Sequence, residues 1–339
     1  MIRQARFLGL REDKPAESVT LEAASSNVGS GENPRPDQPE STGDAVIGGV
    51  RLSHPDKPLY PQQGITKRAL AGYLEAVAAR MLPHLENRLL SVVRCPQGTQ
   101  ETCFFQRHRD AGLGAYLRSL DVEKSSGGSR EYLYLASKTE LISAAQLGIL
   151  EFHVWGSRID AVERPDRLVF DLDPDPSVGF EEVKTAAVLM RDSLDALGLR
   201  SFPLVTGGKG VHVVAPLTRR HEWPVVKAFA KALAERVVED DPERYVATMS
   251  KAKRKGRIFI DHFRNGRSAT AIAPYSPRAR EGAPLAWPVS WNELQKLDAA
   301  HRFRLGDVDL DAADPWADYP HLRQNLKAAS LRAMGISET

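Results

Sequence analysis

The stretch "LVFDLDPDP", 168–176, runs apolar to a strand end and then places Asp171, Asp173 and Asp175 there. Side chains on a strand alternate faces with period two, so Leu168, Phe170 and Leu172 share one face while Val169, Asp171 and Asp173 share the other. Two neighbouring carboxylates repel and lose hydration unless a cation sits between them. A hard divalent ion, Mg²⁺ or Mn²⁺, suits such an all-oxygen donor set. A solvated Asp-Pro turn is the other reading, since both residue types favour turns. "IFIDHF", 258–263, repeats the pattern: Ile258 and Ile260 face one way, Phe259 and Asp261 the other. Three acids at two strand ends are enough for two ions about 4 Å apart, as in phosphoryl-transfer sites. The plainer reading of Asp261 is a turn cap.

A second cluster suits phosphate. "TGGKGVH", 206–212, fails the P-loop pattern, because Gly210 rather than Ser or Thr follows Lys209 and "VHVVA" is strand-like. Its glycines still let backbone N–H groups approach an anion, and Thr206 and Lys209 add donors. His212 shares a face with Val214, away from Val211 and Val213; a satisfied core histidine is its alternative role. "KAKRKGR", 251–257, packs five basic residues into seven, Arg254 among them, and "RNGR" and "SPRAR" follow with Arg264 and Arg278. Such a run is ordinarily a solvated loop, but beside acidic metal ligands it suits a polyanion bound to metal.

Further candidates lie upstream. "CFFQRH" sets Phe104 beside Phe105; on a strand one faces the core and the other is free to stack on a base, unless both are core. "EFHVWGS" offers His153 shortly before the acidic strand. "HPDKPLYPQQGITKRAL" puts His54, Lys57 and Lys67 around a proline-rich turn that leads into a helix. Lys67 falls in the first turn, where the macrodipole disfavours a cation. A bound anion would remove that conflict; ordinary surface lysines are the alternative.

These residues need a scaffold, and periodicity supplies one. Leu70, Leu74, Val77 and Met81 form a helical stripe with Thr66 as N-cap. "RLLSVVRCP" reads as a strand, and "ELISAAQLGILEFHVWGSR" as a helix running into a strand. "GFEEVKTAAVLMRDSLDALG" is an amphipathic helix with Val183, Ala187, Met190, Leu194 and Leu197 inward, stopped by Gly198. "SFPLVTGGKGVHVVAPL" is two strands around a glycine turn. "EWPVVKAFAKALAERVVED" is a helix with Pro224 in its first turn, and Ser290 with Glu293 forms a capping-box pattern. Helices alternating with strands, with a hairpin inside, indicate an α+β sheet with helices packed on it.

Bulk properties narrow the class. The 339 residues are 42% hydrophobic and 27% charged, with a net charge of +2. That is an ordinary globular composition, and the charge alone demands no nucleic-acid partner. No apolar run is long enough for a transmembrane helix, and the N-terminus lacks the apolar core of a signal peptide. Cys95 and Cys103, with no C-x-x-C pair, argue against a disulfide framework and a zinc site. The expected location is cytoplasmic. Residues 17–45 are rich in Ser, Gly, Glu, Pro and Asn and read as a disordered linker. They separate a short head, 1–16, from a globular part, 46–339.

The ordered set "HPDKPLYP…TK", "FFQRH", "EFHVWGS", "VFDLDP", "TGGKGVHV" and "FIDHFRNGRSATAIAPYSPR" resembles the polymerase domain of bacterial DNA ligase D, in the archaeo-eukaryotic primase superfamily. The resemblance runs from about Gly48 to the C-terminus. "FLGLREDKP" resembles the close of the ATP-dependent ligase domain that precedes the polymerase in such enzymes, so the head is expected to be a remnant of that domain. The implied fold is a primase-polymerase α+β type: a mixed or antiparallel sheet core flanked by helices, with an N-terminal α/β subregion. The implied activity is gap-filling and end-extending nucleotidyl transfer in non-homologous end joining, favouring ribonucleotides. NTPs or dNTPs are the substrates, with two Mn²⁺ or Mg²⁺ ions. Asp171, Asp173 and Asp261 match the catalytic metal triad. Thr206, Lys209 and His212 match the nucleotide-phosphate turn, Arg254 and Arg264 basic residues near the triphosphate, and His153 an active-site histidine. Phe104 and Phe105 match the pair that packs against template and incoming base. His54, Lys57 and Lys67 match a pocket for a downstream 5′-phosphate, with Lys57 where relatives carry Arg. Arg278 sits in the "SPR" loop without an assigned role. Expected partners are DNA ends with a 5′-phosphate, Ku and the ligase domain of the same parent chain, with no membrane. Two rivals remain. A haloacid-dehalogenase-type phosphatase also carries D-x-D after an apolar strand, but has Thr or Val where this chain has Asp175. A non-catalytic DNA-end binding module would not need the acidic triad.

Overall fold

The alternating faces of the acidic strand are realised at the centre of a sheet, in a computed structural model that describes residues 43–109, 112–124 and 127–337. The head 1–16 and nearly all of the segment 17–45 lie outside the described residues. In chain order the first elements are β1 (Ala45–Ile47), β2 (Val50–Leu52), β3 (Pro58–Tyr60), β4 (Ile65–Thr66), α1 (Lys67–Leu85), β5 (Leu90–Arg94) and β6 (Phe104–Gln106). Next come β7 (Arg118–Glu123), β8 (Ser129–Tyr134), α2 (Lys138–Gln146), β9 (Ile149–Trp155), β10 (Arg167–Pro174), α3 (Phe180–Ala196), β11 (Phe202–Val205) and β12 (Val211–Pro216). The chain continues through α4 (Trp223–Asp240), β13 (Tyr245–Val246), β14 (Ile258–Asp261), β15 (Thr270–Ile272), β16 (Trp287–Pro288), α5 (Trp291–Lys296) and α6 (Ala328–Ala333).

Two sheets carry the fold. One has the order β13-β14-β10-β12-β11-β16; the other runs β15-β9-β5-β8-β7, with β6 paired to β5. Every pairing is antiparallel except β13 with β14. Leu168, Phe170 and Leu172 of β10 are fully buried in the main core together with Val183, Ala187, Met190 and Leu194 of α3 and Phe229 and Leu233 of α4. Removing a ring such as that of Phe170 would cost about 3–5 kcal/mol. The opposite face of β10 starts at Val169 and packs with Val214 against Ala271 and Ile272 of β15. The second sheet therefore meets this face, and the crevice between the sheets opens where the apolar residues give way to Asp171 and Asp173.

The local signals hold. Thr66 caps α1 by accepting from the Ala69 N–H at 3.3 Å, and Ser290 and Glu293 make both capping-box bonds. Gly198 ends α3 at φ 75°, a left-handed value that suits glycine. Two expectations fail. Cys95 and Cys103 form a disulfide, because β6 returns antiparallel on β5 and pairs Arg94 with Phe104. Spacing rules for C-x-x-C pairs say nothing about such a hairpin neighbour. Neither Phe104 nor Phe105 enters the core; they are 42% and 46% exposed. β6 is a short edge strand paired only with β5, so alternation brings neither ring under a second layer.

Candidate active site

The register of β10 decides what meets. Asp171 lies opposite His212 on β12 and opposite Asp261 on β14, so three polar side chains form a row across three strands. Asp173 lies opposite Phe259, and its side chain is 56% exposed. Arg264, in the turn after β14, reaches back over the row. Its Nη2 is 3.1 Å from Asp171 Oδ2 and its Nε 3.0 Å from Asp261 Oδ2, the second an ion pair without hydrogen-bond alignment. His212 Nε2 stands 3.5 Å from Asp171 Oδ1. Asp261 Oδ1 also accepts the Phe263 N–H at 2.9 Å, so it caps a turn while its other oxygen faces the row. Asp175 is not part of this group: it caps its own turn by accepting from Ser177. Arg254 stacks on the ring opposite Asp173, 3.6 Å above the Phe259 centroid, with Nη1 3.7 Å from Asp173 Oδ2.

The charge balance of the row is uneven. Burial alone would raise the Asp171 carboxyl, but His212 and Arg264 hold it at about 2. Asp173 is raised by burial and by the neighbouring Asp171 charge, against Arg254 and Arg264. Asp261 is raised by burial, with Arg264 opposing and Asp171 adding. Two carboxylates thus lack full compensation, and the donor set is all oxygen, which fits a hard divalent cation. Among the described residues, however, no group of three or more His, Cys, Asp or Glu side chains converges on a metal position. Arg264 occupies the space between two of the carboxylates instead.

A cleft of about 220 Å³ opens over the row, lined by Asp171, Asp173, Thr206, Lys209, His212 and Arg264 from one sheet and His153 and Ile272 from the other. The turn between β11 and β12 forms its rim. Thr206 donates its hydroxyl to the Gly210 carbonyl at 2.9 Å, so that oxygen closes the turn. Lys209 stands exposed at the tip. Gly207 has φ 67°, and a Cβ there would come 2.8 Å from the Leu285 carbonyl oxygen. A Cβ on Gly210 would strike the Leu172 carbonyl oxygen of β10.

Sequence reasoning missed Glu151 and Arg280. Glu151 is buried in β9, one strand period before His153, and accepts from His153 Nε2 at 2.9 Å and from the Ala279 N–H at 2.8 Å. Its cationic neighbour is Arg278, whose Nε lies 3.2 Å from Oε1 and whose Nη1 donates to the Thr206 carbonyl. Burial opposes ionisation, but His153, Arg278 and the Ala279 N–H hold Glu151 at about 2. Arg278 thereby ties the "SPR" loop to both β9 and the glycine turn. A lone acid inside the apolar strand "ILEFHVW" was the available signal. Arg280 lines the same cleft and is lowered by burial and by Arg278. His153 is lowered by burial and stays neutral at pH 7. Phe105 meets it edge-on at 5.5 Å, which brings one of the two exposed rings to the cleft; Phe104 faces Arg94 instead.

His54, Lys57 and Lys67 lie apart, at the start of α1. The helix N–H groups there are not free. Lys67 N donates to Lys57 O at 2.9 Å, Arg68 N to Pro55 O at 2.8 Å, and Ala69 N to the Thr66 hydroxyl. The expected conflict between Lys67 and the macrodipole is eased within the chain: Lys67 Nζ bends to Ser53 O at 2.7 Å and Gln146 Oε1 at 3.2 Å. Lys67 is lowered by burial and then by Lys57, so the pair is short of negative charge. Lys57 Nζ donates to Gln97 Oε1 at 2.5 Å, and His54 is exposed at φ 49°.

Comparison with known proteins gives one consistent answer. The family model of the LigD primase-polymerase domain matches residues 66–316. The chain is 40% identical over 348 aligned residues to the multifunctional non-homologous end joining protein LigD of Pseudomonas aeruginosa, covering 99% of this chain and 40% of that protein. The corresponding protein of Mycolicibacterium smegmatis is 33% identical over 271 residues, 79% of this chain and 35% of its own length. Among solved structures, the polymerase domain from Mycobacterium tuberculosis ligase D, in complex with DNA, superposes with a TM-score of 0.68 at 31% identity, covering 84% of this chain and 94% of that one. The chain spans about two fifths or less of the length of these curated relatives.

Proposed function

The chain belongs to the LigD primase-polymerase family, and on that premise we propose that it adds nucleotides, ribonucleotides by preference, to the 3′-hydroxyl of broken DNA ends in non-homologous end joining. The observation that carries this reading is the row Asp171, Asp261 and His212 with Asp173 beside it, set in a cleft whose rim is cationic. Asp171, Asp173 and Asp261 would hold two Mn²⁺ or Mg²⁺ ions, and Arg264 competes for the same oxygens. Such ions lower the pKa of an attacking hydroxyl and stabilise a leaving pyrophosphate.

The chain's own residues do the rest. Lys209, Arg278 and Arg280 line the cleft where a triphosphate would lie, and their charge opposes the charge that builds up on it. Arg254 is held beside Asp173 by its stack on Phe259, ready for the same anion. Glu151 keeps Arg278 and His153 in place. Neutral His153 uses Nε2–H on Glu151, which leaves Nδ1 as an acceptor for a sugar hydroxyl and gives ribonucleotide preference a physical basis. Phe105, against His153, suits stacking on a base, and Phe104 beside it suits the template. His54, Lys57 and Lys67 suit a 5′-phosphate across the gap, through side chains rather than helix N–H groups. The same reading makes Ku and a ligase domain its partners and implies a cytoplasmic, nucleoid-associated protein. No helix among the described residues is long and apolar enough to cross a membrane.

Extension of a labelled primer on gapped duplex DNA, with Mn²⁺ and either NTPs or dNTPs, tests the proposal. Templated addition with faster use of NTPs is expected. Binding without extension would leave only a DNA-end module. Phosphate release without extension would favour the phosphatase, against which Asp175 in its own turn already speaks.

A further inference from the structure

We propose that the cavity at the start of β10 is a second phosphate-binding site, separate from the nucleotide cleft. It measures about 330 Å³, against about 220 Å³ for the cleft, and Arg88, Arg158, Arg219, Arg323, Asp166 and Tyr319 line it. Arg167, just behind, is four residues from Asp171, about 13 Å along the strand. Pro83 on the cavity wall lies at the far end of α1 from Lys67, about 24 Å along the helix. The site therefore overlaps neither the nucleotide cleft nor the lysine pair.

The charge there is unbalanced. Arg88 grips Asp166 with both prongs, at 2.7 and 2.6 Å. Arg158 Nε and Arg167 Nε reach the same carboxylate at 3.4 and 3.6 Å. Arg158 also lies 3.8 Å from Glu86, and Arg219 pairs with Asp160 at 2.5 Å. Among the described residues Arg323 donates only to the backbone carbonyls of Pro320 and Leu322. Four guanidinium groups thus share three carboxylates, Arg158 and Arg167 turning also to the backbone carbonyls of Glu86, Pro83 and His84, and Arg323 adds a fifth that meets no carboxylate. His84, buried behind the cavity, is lowered by burial and then by Arg167, Arg88 and Arg158, with Asp166 opposing.

Unfinished hydrogen bonding points the same way. Among the described residues the Tyr319 hydroxyl and Arg88 Nε have no hydrogen-bond partner, although their residues are only 6% and 2% exposed. Buried donors without partners are rare and cost free energy, and both belong to residues that line the cavity. Pro83, Pro216, Leu217 and Pro320 complete the walls and thin the water that would screen an anion. Several guanidinium forks on one cavity match the several oxygens of a phosphate better than they match a single carboxylate. The phosphate comes either from a free molecule such as pyrophosphate or from a DNA backbone.

Calorimetric titration separates the two sources. Pyrophosphate, in metal-free buffer, and blunt duplex DNA without a 5′-phosphate are titrated against wild type, Arg323→Ala, Tyr319→Phe and the double variant Lys209→Ala/Arg280→Ala. Arg323 is exposed and Tyr319→Phe keeps the ring, so both fold. If the ligand is a free phosphate, pyrophosphate still binds the double variant, and Arg323→Ala weakens a pyrophosphate site about tenfold or more. If it is a backbone phosphate, Arg323→Ala weakens duplex binding and lowers its salt slope by about one. Either outcome supports the site, with primer-extension kcat/KM for NTP unchanged in Arg323→Ala. Unaltered binding of both probes by Arg323→Ala and Tyr319→Phe overturns it. So does a fall in NTP kcat/KM equal to the loss of binding, which would merge the cavity with the active site.

Discussion

The two ends of β10 are near mirror images in charge. At the end that carries Asp171, two carboxylates, Asp171 and Asp261, share one row with His212 under Arg264, and a third, Asp173, stands beside it with Arg254. At the end that carries Arg167, three guanidinium groups share Asp166. Burial of the strand is common to both, so burial alone does not sort structure from function. Access does: the Asp173 side chain is 56% exposed to the cleft, whereas the Arg88 side chain is 2% exposed behind Asp166. Surplus charge that solvent can reach is available to a ligand at once. Surplus charge locked behind a bidentate pair belongs first to the fold.

Mutations should therefore break the two ends in different ways. Asp171→Ala or Asp173→Ala should cut nucleotide addition by about three decades or more, because bound ions supply several kcal/mol of charge stabilisation and each 1.36 kcal/mol is a decade. Affinity for DNA should change little, and primer extension beside a binding titration reads both. Extension at near wild-type rate would remove the acids from the reaction. Arg88→Ala should act on stability instead. It leaves Asp166 buried with only the longer contacts, at a cost of about 3–5 kcal/mol. Denaturant unfolding measures this, and a loss below about 1 kcal/mol would show that Asp166 does not depend on its fork.

A smaller effect is expected at the start of α1, where cations are again underpaired. Lys67→Ala should weaken binding of gapped DNA with a 5′-phosphate about tenfold, the worth of one charged contact, and should do less to the same DNA without it. Equal affinity of wild type for the two DNAs would dissolve this pocket while leaving the cleft untouched.

The finest test uses pH. Asp171, Asp166 and Glu151 are held at about 2, below the ordinary carboxyl range. Their stabilisation is complete above that range and is lost as pH falls towards 2. Asp173 and Asp261 are raised, so their ionisation opposes folding and acid relieves it. Asp173→Asn should therefore raise Tm slightly at pH 7 in metal-free buffer, with the gain fading as pH falls and Asp173 takes up its proton. Added Mn²⁺ should favour wild type instead. A lower Tm for the variant at pH 7 without metal would mean that Asp173 is already fully paired.

What the sequence revealed and what it hid follow the range of the interactions. Strand faces, the Thr66 cap, the capping box and the glycine turn are local, and period, caps and turn residues announced them. The faces of β10 and β14 were legible, so Asp171, Asp173 and Asp261 could be grouped before their register was known, while His212 was read with the phosphate turn. The register itself, Asp171 opposite both of the others, is a long-range fact. Glu151 escaped because its partners Arg278 and Ala279 lie far along the chain. The disulfide escaped because it depends on β6 turning back onto β5. Thr206 and the first-turn N–H groups of α1 looked free for an anion, yet nearby carbonyls and a hydroxyl already engage them.

The glycine turn also bears on how this chain can drift over generations. Position 207 is closed to side chains by a left-handed backbone and the Leu285 carbonyl, and position 210 by the Leu172 carbonyl beneath it. In a mutational scan both would tolerate no replacement and would look like reactive residues, though neither has a side chain to react. The glycines of the P-loop-like "TGGKG" are then accounted for by two neighbouring carbonyl oxygens. Lineages could exchange Lys209 for another donor long before they could alter Gly207 or Gly210.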